Sequence, residues 1–123
     1  MTAPFVAIYD PSNMTFCQSL DEIGMNVEPQ DIENVKIYDS GGRELECEIQ
    51  ECDRSRTILG FLKVGPVFDR VVPTGIRKNN VTWSENEVKE LVRSLLETIL
   101  PHEPLKGMSL VELLEFGCER IKY

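Results

Sequence analysis

The sequence of 123 residues lacks the features that mark membrane, secreted and nucleic-acid-binding proteins. It has no apolar run close to the roughly 18 residues that a membrane helix needs. Its first residues have no basic segment followed by a long apolar run, so no secretion signal is predicted. Lysine and arginine total 13 against 21 acidic residues, and the net charge of −8 disfavours nucleic acid or an anionic membrane as a partner. These absences predict a cytoplasmic protein of bacterial type.

Residues with the chemistry for metal binding or nucleophilic catalysis are few and scattered. The single histidine, His102, lies between two prolines, and none of the four cysteines forms a Cys-x-x-Cys pair. A zinc site needs more ligands at closer spacing, so no metal or cofactor is predicted, and the cysteines are expected to be reduced. The glycines lack the lysine context of a phosphate-binding loop. The sequence therefore predicts no assembled active site and no enzyme.

Two C-terminal segments have the apolar spacing of amphipathic helices. Between residues 84 and 100, apolar side chains recur at intervals of three and four after a Ser-x-x-Glu capping box, and Pro101 ends the helix. A second helix is predicted after Ser109, again with a capping box. Its apolar stripe includes Gly117, which would allow close approach to a neighbour. We expect both helices to pack together on one face of a sheet.

The earlier part of the chain has the pattern of strands and turns. Strand-forming residues bounded by turn residues predict strands at 5–9, 35–38, 43–50, 57–64 and 67–72. A short helix is predicted at about 20–25. An Asp-Ser-Gly-Gly turn joins 35–38 to 43–50 as a hairpin, and 57–64 is apolar on both faces, which is typical of a central strand. The predicted fold is one α+β domain, residues 1–123, with an antiparallel sheet of four to five strands and two C-terminal helices on one face.

The acidic residues are concentrated in one part of the chain. Residues 21–53 hold eleven acidic against two basic residues, a local net charge of −9. Within the predicted hairpin, Glu44, Glu46 and Glu48 alternate with apolar residues, so these carboxylates would share one face at intervals of about 6–7 Å. Like charges in a row do not stabilise a strand, and they favour a cationic partner. A solvated face, or an edge strand kept charged against aggregation, is the alternative.

The predicted partner-binding surface combines this row with its neighbours and with one aromatic residue of the last helix. Its residues are Tyr38, Asp39, Glu44, Glu46, Glu48, Glu51 and Phe116. Phe116 falls among charged residues on the helix, where it either anchors an interface or packs against a loop.

Small size, a regular acidic hairpin and no assembled active site favour a non-catalytic protein that binds a basic protein partner. In kind it is similar to the immunity proteins and antitoxins that occupy the cationic clefts of basic bacterial nuclease toxins, although no motif places it in one of their families. Either a monomer or a homodimer is compatible with this interpretation. The alternatives are an acidic secretion-type chaperone and a small enzyme or ligand-binding domain, with Tyr9, Asp10, Tyr38 or His102 around a pocket.

Overall fold

The computed structural model describes residues 2–53, 56–58, 62–64, 67–76 and 85–121, which form an α+β fold with antiparallel strands, as predicted. The strands are β1 (Phe5–Asp10), β2 (Asn13–Cys17), β3 (Lys36–Tyr38), β4 (Leu45–Asp53), β5 (Arg56–Ile58), β6 (Leu62–Val64) and β7 (Val67–Ile76). The helices are α1 (Leu20–Asn26), α2 (Glu85–Ile99) and α3 (Leu110–Arg120), with a short 3-10 turn at Pro29–Asp31.

β1 is the central strand of a three-stranded sheet with the order β2–β1–β3. Phe5 pairs with Cys17 of β2, and Val6 pairs with Tyr38 of β3, both in antiparallel register. The predicted strand at β1 and the turn after it are confirmed. The sequence analysis does not predict β2, which follows that turn directly and forms a hairpin with β1.

Both faces of β1 are buried, each in its own apolar cluster. Val6 and Ile8 belong to a cluster that also contains apolar residues of α2 and α3. Phe5 and Ala7 belong to a second cluster, which includes Ile23 of α1. Since successive side chains of a strand point to opposite faces, β1 contributes alternate residues to two separate cores.

The predicted hairpin between β3 and β4 forms only at its turn. The Asp39 N–H donates to the Arg43 carbonyl at 3.0 Å, and the Gly42 N–H donates to the Asp39 carbonyl at 3.1 Å. One further bridge joins Tyr38 to Glu44. Beyond it the strands diverge, because β3 pairs with β1 and β4 pairs with β7. The prediction of a single sheet is therefore wrong, and the described strands form one three-stranded and two two-stranded sheets.

Two further strand predictions are corrected by the structure. The stretch 57–64, predicted as one central strand, contains parts of β5 and β6, which pair with each other. β7 does not stop at Pro73 but continues to Ile76. Pro73 lies opposite Cys47, next to the position where the register of β4 and β7 shifts, and such irregularities tolerate a proline. The sequence also predicts a further short edge strand at 76–78; Ile76 ends β7, and residues 77 and 78 lie outside the described residues.

α2 and α3 lie close to where the apolar spacing predicts them. The Ser109 hydroxyl accepts the Glu112 N–H at 3.3 Å, and the Glu112 carboxylate accepts the Ser109 N–H at 3.4 Å, which confirms this capping box. The capping box predicted at Ser84 lies outside the described residues. That both helices cover one sheet face stays a prediction. Among the described residues, no helix has the length and apolar character to cross a membrane.

Two glycines allow the helices to approach their neighbours closely. A Cβ atom at Gly117 of α3 would lie 2.6 Å from Cδ1 of Phe16 on β2, so the predicted close approach at this glycine is confirmed. At Gly42, with φ of 77°, a Cβ atom would lie 2.5 Å from the Cα atom of Glu85, where α2 begins. The first contact seats α3 against β2, and the second places the start of α2 over the turn between β3 and β4.

We expect Gly117→Ala to destabilise the protein by about 1–2 kcal/mol, because crowding of the Phe16 ring exceeds the gain in helix propensity. Urea unfolding followed by far-UV circular dichroism measures this difference. Gly75→Ala is the matched control, since nothing lies within 4 Å of a Cβ atom there. Adding Phe16→Leu to Gly117→Ala should cost less than the sum of the two changes, since the residues are in contact. Equal stability of the Gly117→Ala and Gly75→Ala proteins would contradict the close approach.

Candidate functional site

The ribbon formed by β4 and β7 carries two neighbouring exposed carboxylates. Glu46 and Glu48 are both exposed and project from the same face of β4. Their cross-strand neighbours on β7 are Gly75 and Val72, which carry no charge. We call Glu46 and Glu48 the acidic ribbon face. The outward direction predicted for these two glutamates from strand alternation is confirmed.

The basic residue of β7 has its described polar contacts with α1 and not with the acidic ribbon face. Arg70 lies opposite Gln50, and its Nη2 donates to the Asp21 carbonyl of α1 at 2.8 Å. The same nitrogen is 3.4 Å from the Asp21 carboxylate. Among the side chains that the structure describes, no ion pair includes Glu46 or Glu48. The ribbon therefore keeps two adjacent negative charges that its own described residues do not neutralise.

Three residues of the predicted binding surface are instead buried. Tyr38 and Asp39 are 0% exposed, and Glu44 is 2% exposed. The predicted outward placement of Glu44 is wrong, because it precedes β4 at the corner where the chain leaves one sheet for another. Tyr38 belongs to the apolar cluster of α2 and α3. Strand alternation predicts which residues share a face, but burial depends on what covers that face, which the sequence pattern does not contain.

Asp39 forms the centre of a hydrogen-bonded corner between β3 and β4. One carboxylate oxygen accepts the N–H groups of Gly41 at 3.0 Å and Arg43 at 2.9 Å. The other accepts the Thr2 N–H at 3.2 Å and lies 2.9 Å from Nη2 of Arg43. The Ser40 hydroxyl also donates to the Thr2 carbonyl at 2.9 Å. This carboxylate therefore joins the N-terminal segment to the corner, which is a structural role.

The two remaining residues of the predicted surface have different positions. Glu51 lies in β4, but its side chain is outside the described part of the chain. Phe116 is partly buried and packs against the apolar cluster of α2 and α3, while the Arg120 guanidinium lies 5.2 Å from its ring centroid. The structure thus does not bring Phe116 into one surface with the acidic ribbon face through any described contact.

The residues predicted for a catalytic or ligand pocket differ in their exposure to solvent and in their surroundings. His102 is exposed in the connector between α2 and α3. The exposed Asp10 carboxylate accepts hydrogen bonds from the Ser12 hydroxyl at 2.6 Å and from the Ser12 N–H at 2.8 Å. These bonds lower the pKa of Asp10. Burial, followed by the charge of Asp31, raises the pKa of Tyr9. Tyr38 is fully buried, as described above.

Cys17 at the end of β2 is a buried thiol. Burial raises the pKa of Cys17 to about 12, and a hydrogen bond with Asn26 offsets only part of this shift. At neutral pH the group is therefore a protonated thiol, whereas a nucleophile or a metal ligand acts as the thiolate. Cys118 is buried as well, while Cys47 is only partly buried.

The most exposed apolar residue of α1 is not among the residues predicted for a site. Met25 is 76% exposed, more than any other large apolar side chain that the structure describes. A signal for it exists in the sequence, because Ile23 and Val27 are four residues apart and face the core, which places Met25 on the opposite side of the helix. Met25 borders a cleft that is described below.

The structure defines the class of this fold, which is α+β with separate antiparallel sheets. Comparison with protein-family models, with curated proteins and with solved structures gave no match. Arguments about function therefore depend on the chain's own surface and chemistry.

We expect Asp39→Asn to lower the free energy of unfolding by about 2–3 kcal/mol, because the buried carboxylate that accepts charge-assisted hydrogen bonds is lost. Asp69→Asn, at an exposed position, is the control and should change stability by no more than about 0.5 kcal/mol. Urea unfolding of the three proteins measures both differences. If the two variants are equally stable, the corner does not depend on the Asp39 carboxylate.

Cys17 should resist iodoacetamide in the folded protein at pH 8, because burial keeps it as a protonated thiol. Peptide mapping by mass spectrometry gives the extent of modification at each cysteine over time. Cys47, which is partly buried, serves as the internal comparison and should react first. In urea both cysteines should react at similar rates. Fast modification of Cys17 in the native protein would show that it is accessible and contradict this description.

Proposed function

We propose that this protein is a non-catalytic binding module that holds a basic protein partner against its acidic surface. Within this proposal it is an inhibitor of the immunity or antitoxin type, acts in the bacterial cytoplasm, and neutralises a basic toxin or effector domain. The partner-binding contact includes the acidic ribbon face.

The observation that carries the proposal is the pair Glu46 and Glu48, which takes part in no ion pair among the side chains that the structure describes. Both are exposed on a paired strand, and the residues directly opposite them are uncharged. Adjacent like charges reduce the stability of a strand pair, and Arg70, which could offset them, donates to α1 instead. A cationic partner would remove this repulsion on binding, and the field of the two carboxylates would speed its approach.

The chemistry of three residues, Cys17, Tyr9 and Asp39, supports a non-catalytic role. The Cys17 thiol is buried and protonated at neutral pH, and the Tyr9 hydroxyl has a raised pKa. Asp39, whose carboxylate accepts four N–H groups, is committed to the corner between β3 and β4. General acid–base or nucleophilic catalysis requires a group with an accessible, tuned pKa. These residues do not have that property.

The test replaces the two ribbon carboxylates and measures how fast a partner binds. Immobilised protein captures partners from lysate at low salt, and mass spectrometry identifies those that high salt releases. Association of the purified partner is then followed by stopped flow at about 20 mM and about 500 mM salt. Glu46→Gln/Glu48→Gln should slow association about three- to tenfold at low salt and change it little at high salt.

The matched control removes the same charge from other elements. Glu33→Gln/Glu97→Gln changes two exposed residues, one in the loop before β3 and one on α2. This variant should associate at a rate closer to that of the native protein. The acidic ribbon face is not part of the contact if both double variants associate equally fast, or if the salt-released partner carries no basic surface.

A further inference from the structure

A cleft lies between the end of β2, α1 and the C-terminal part of α3. Its volume is about 250 Å³, and it is lined by Phe16, Gln18, Glu22, Met25, Asn26, Cys118 and Ile121. We call it the α1–α3 cleft. Sites for drug-sized molecules are larger, at about 300–1,000 Å³. The size of this cleft corresponds better to one long side chain than to a complete metabolite.

The lining of the α1–α3 cleft is mixed, and its apolar residues Phe16, Met25 and Ile121 suit a hydrocarbon stem. Met25 contributes the most exposed large apolar side chain of the described chain, and Ile121 is partly buried beside the end of α3. The ring of Phe16 also lines the cleft and lies in close contact with Gly117. A flexible methionine next to a fixed ring adapts readily to an inserted chain.

The rim of the cleft carries a carboxylate that is held in position. The Gln18 N–H donates to Oε2 of Glu22 at 2.5 Å, which fixes this partly buried side chain at the start of α1. On the far side of Gln18 and Cys118 a second cleft is lined by Glu115 and Glu119. None of the described residues that line either cleft is basic.

The basic residue nearest in sequence on α3 is directed elsewhere. Arg120 lies 3.4 Å from the Glu103 carboxylate, and its guanidinium lies over the Phe116 ring. The negative charge around the cleft is thus left for a group that is not among the described residues. A lining that holds both apolar side chains and a carboxylate complements a long alkyl chain that ends in a cation.

We propose that the α1–α3 cleft binds a lysine or arginine side chain of the protein partner. The aliphatic stem lies between Met25 and Ile121, and the cation pairs with Glu22 at the rim. That the bound side chain belongs to a basic protein rests on the proposed function. The preference of the cleft for a cationic side chain does not depend on that function.

A lysine analogue tests this preference without a known partner. The probe is Nα-acetyl-lysine methylamide, titrated into protein with ¹³C-labelled methionine methyl groups and followed by ¹H–¹³C correlation spectra. Met25→Leu assigns the Met25 signal. The Met25 methyl group should shift saturably with a dissociation constant of about 10 mM, while the buried Met14 should shift much less.

Two matched comparisons separate charge recognition from general apolar binding. Nα-acetyl-norleucine methylamide has the same stem without the ammonium group and should bind at least about tenfold more weakly. Glu22→Gln should weaken the lysine analogue by about tenfold, and its amide oxygen can still accept the Gln18 N–H. Glu33→Gln, a change at an exposed position outside the cleft lining, should leave the affinity unchanged.

Three results would overturn the proposal: no saturable shift of Met25, equal affinity for the norleucine analogue, or equal effects of Glu22→Gln and Glu33→Gln. These outcomes are distinct from a failure of the proposed function, which is measured at Glu46 and Glu48 with the partner itself. If the cleft does not bind the lysine analogue, the acidic ribbon face remains as the contact. If the cleft binds lysine and the substitutions in the acidic ribbon face do not change association, the contact lies at α1 and α3.

Discussion

The arrangement of this protein depends on a carboxylate that is buried at a corner. Asp39 lies where the chain leaves the three-stranded sheet and enters the ribbon of β4 and β7. An unpaired carboxylate there would cost on the order of several kcal/mol, and four N–H groups from Thr2, Gly41 and Arg43 offset that cost. Because these donors come from the N-terminal segment and the turn, satisfying the carboxylate fixes their relative positions. The same turn contains Gly42, which lies in close contact with Glu85 at the start of α2, so the corner is also packed against this helix.

Local patterns in the sequence predict the local features of the fold. Apolar spacing and a Ser-x-x-Glu cap suffice to locate α3, because both act within a few residues of one another. The same holds for α1, where the Ser19 hydroxyl accepts the Glu22 N–H. The Asp-Ser-Gly-Gly turn is also predicted correctly, since a glycine with positive φ closes it. At the candidate site, alternation along β4 is enough to direct Glu46 and Glu48 outward.

Features that depend on distant partners could not be predicted in this way. The turn signal indicates that the chain reverses, but it does not specify that β3 joins β1 while β4 joins β7. Those pairings are set by which strands bury their apolar faces together, and the residues concerned are far apart in sequence. Glu44 shows the consequence for the site, because its alternation matches that of Glu46 but the corner covers it. The α1–α3 cleft was missed for the same reason, since its walls come from three separated elements.

Because β1 lies between two apolar clusters, its position affects how the protein unfolds. Val6 and Phe5 are adjacent in the chain, yet each belongs to a different core. Neither cluster can be solvated without removing this strand, and its removal exposes apolar residues of the other cluster. The two apolar clusters should therefore unfold as one cooperative unit, with coincident transitions for probes placed on α1 and on α3. A binding partner that stabilises the elements around one cluster would in that case also protect the other cluster from unfolding.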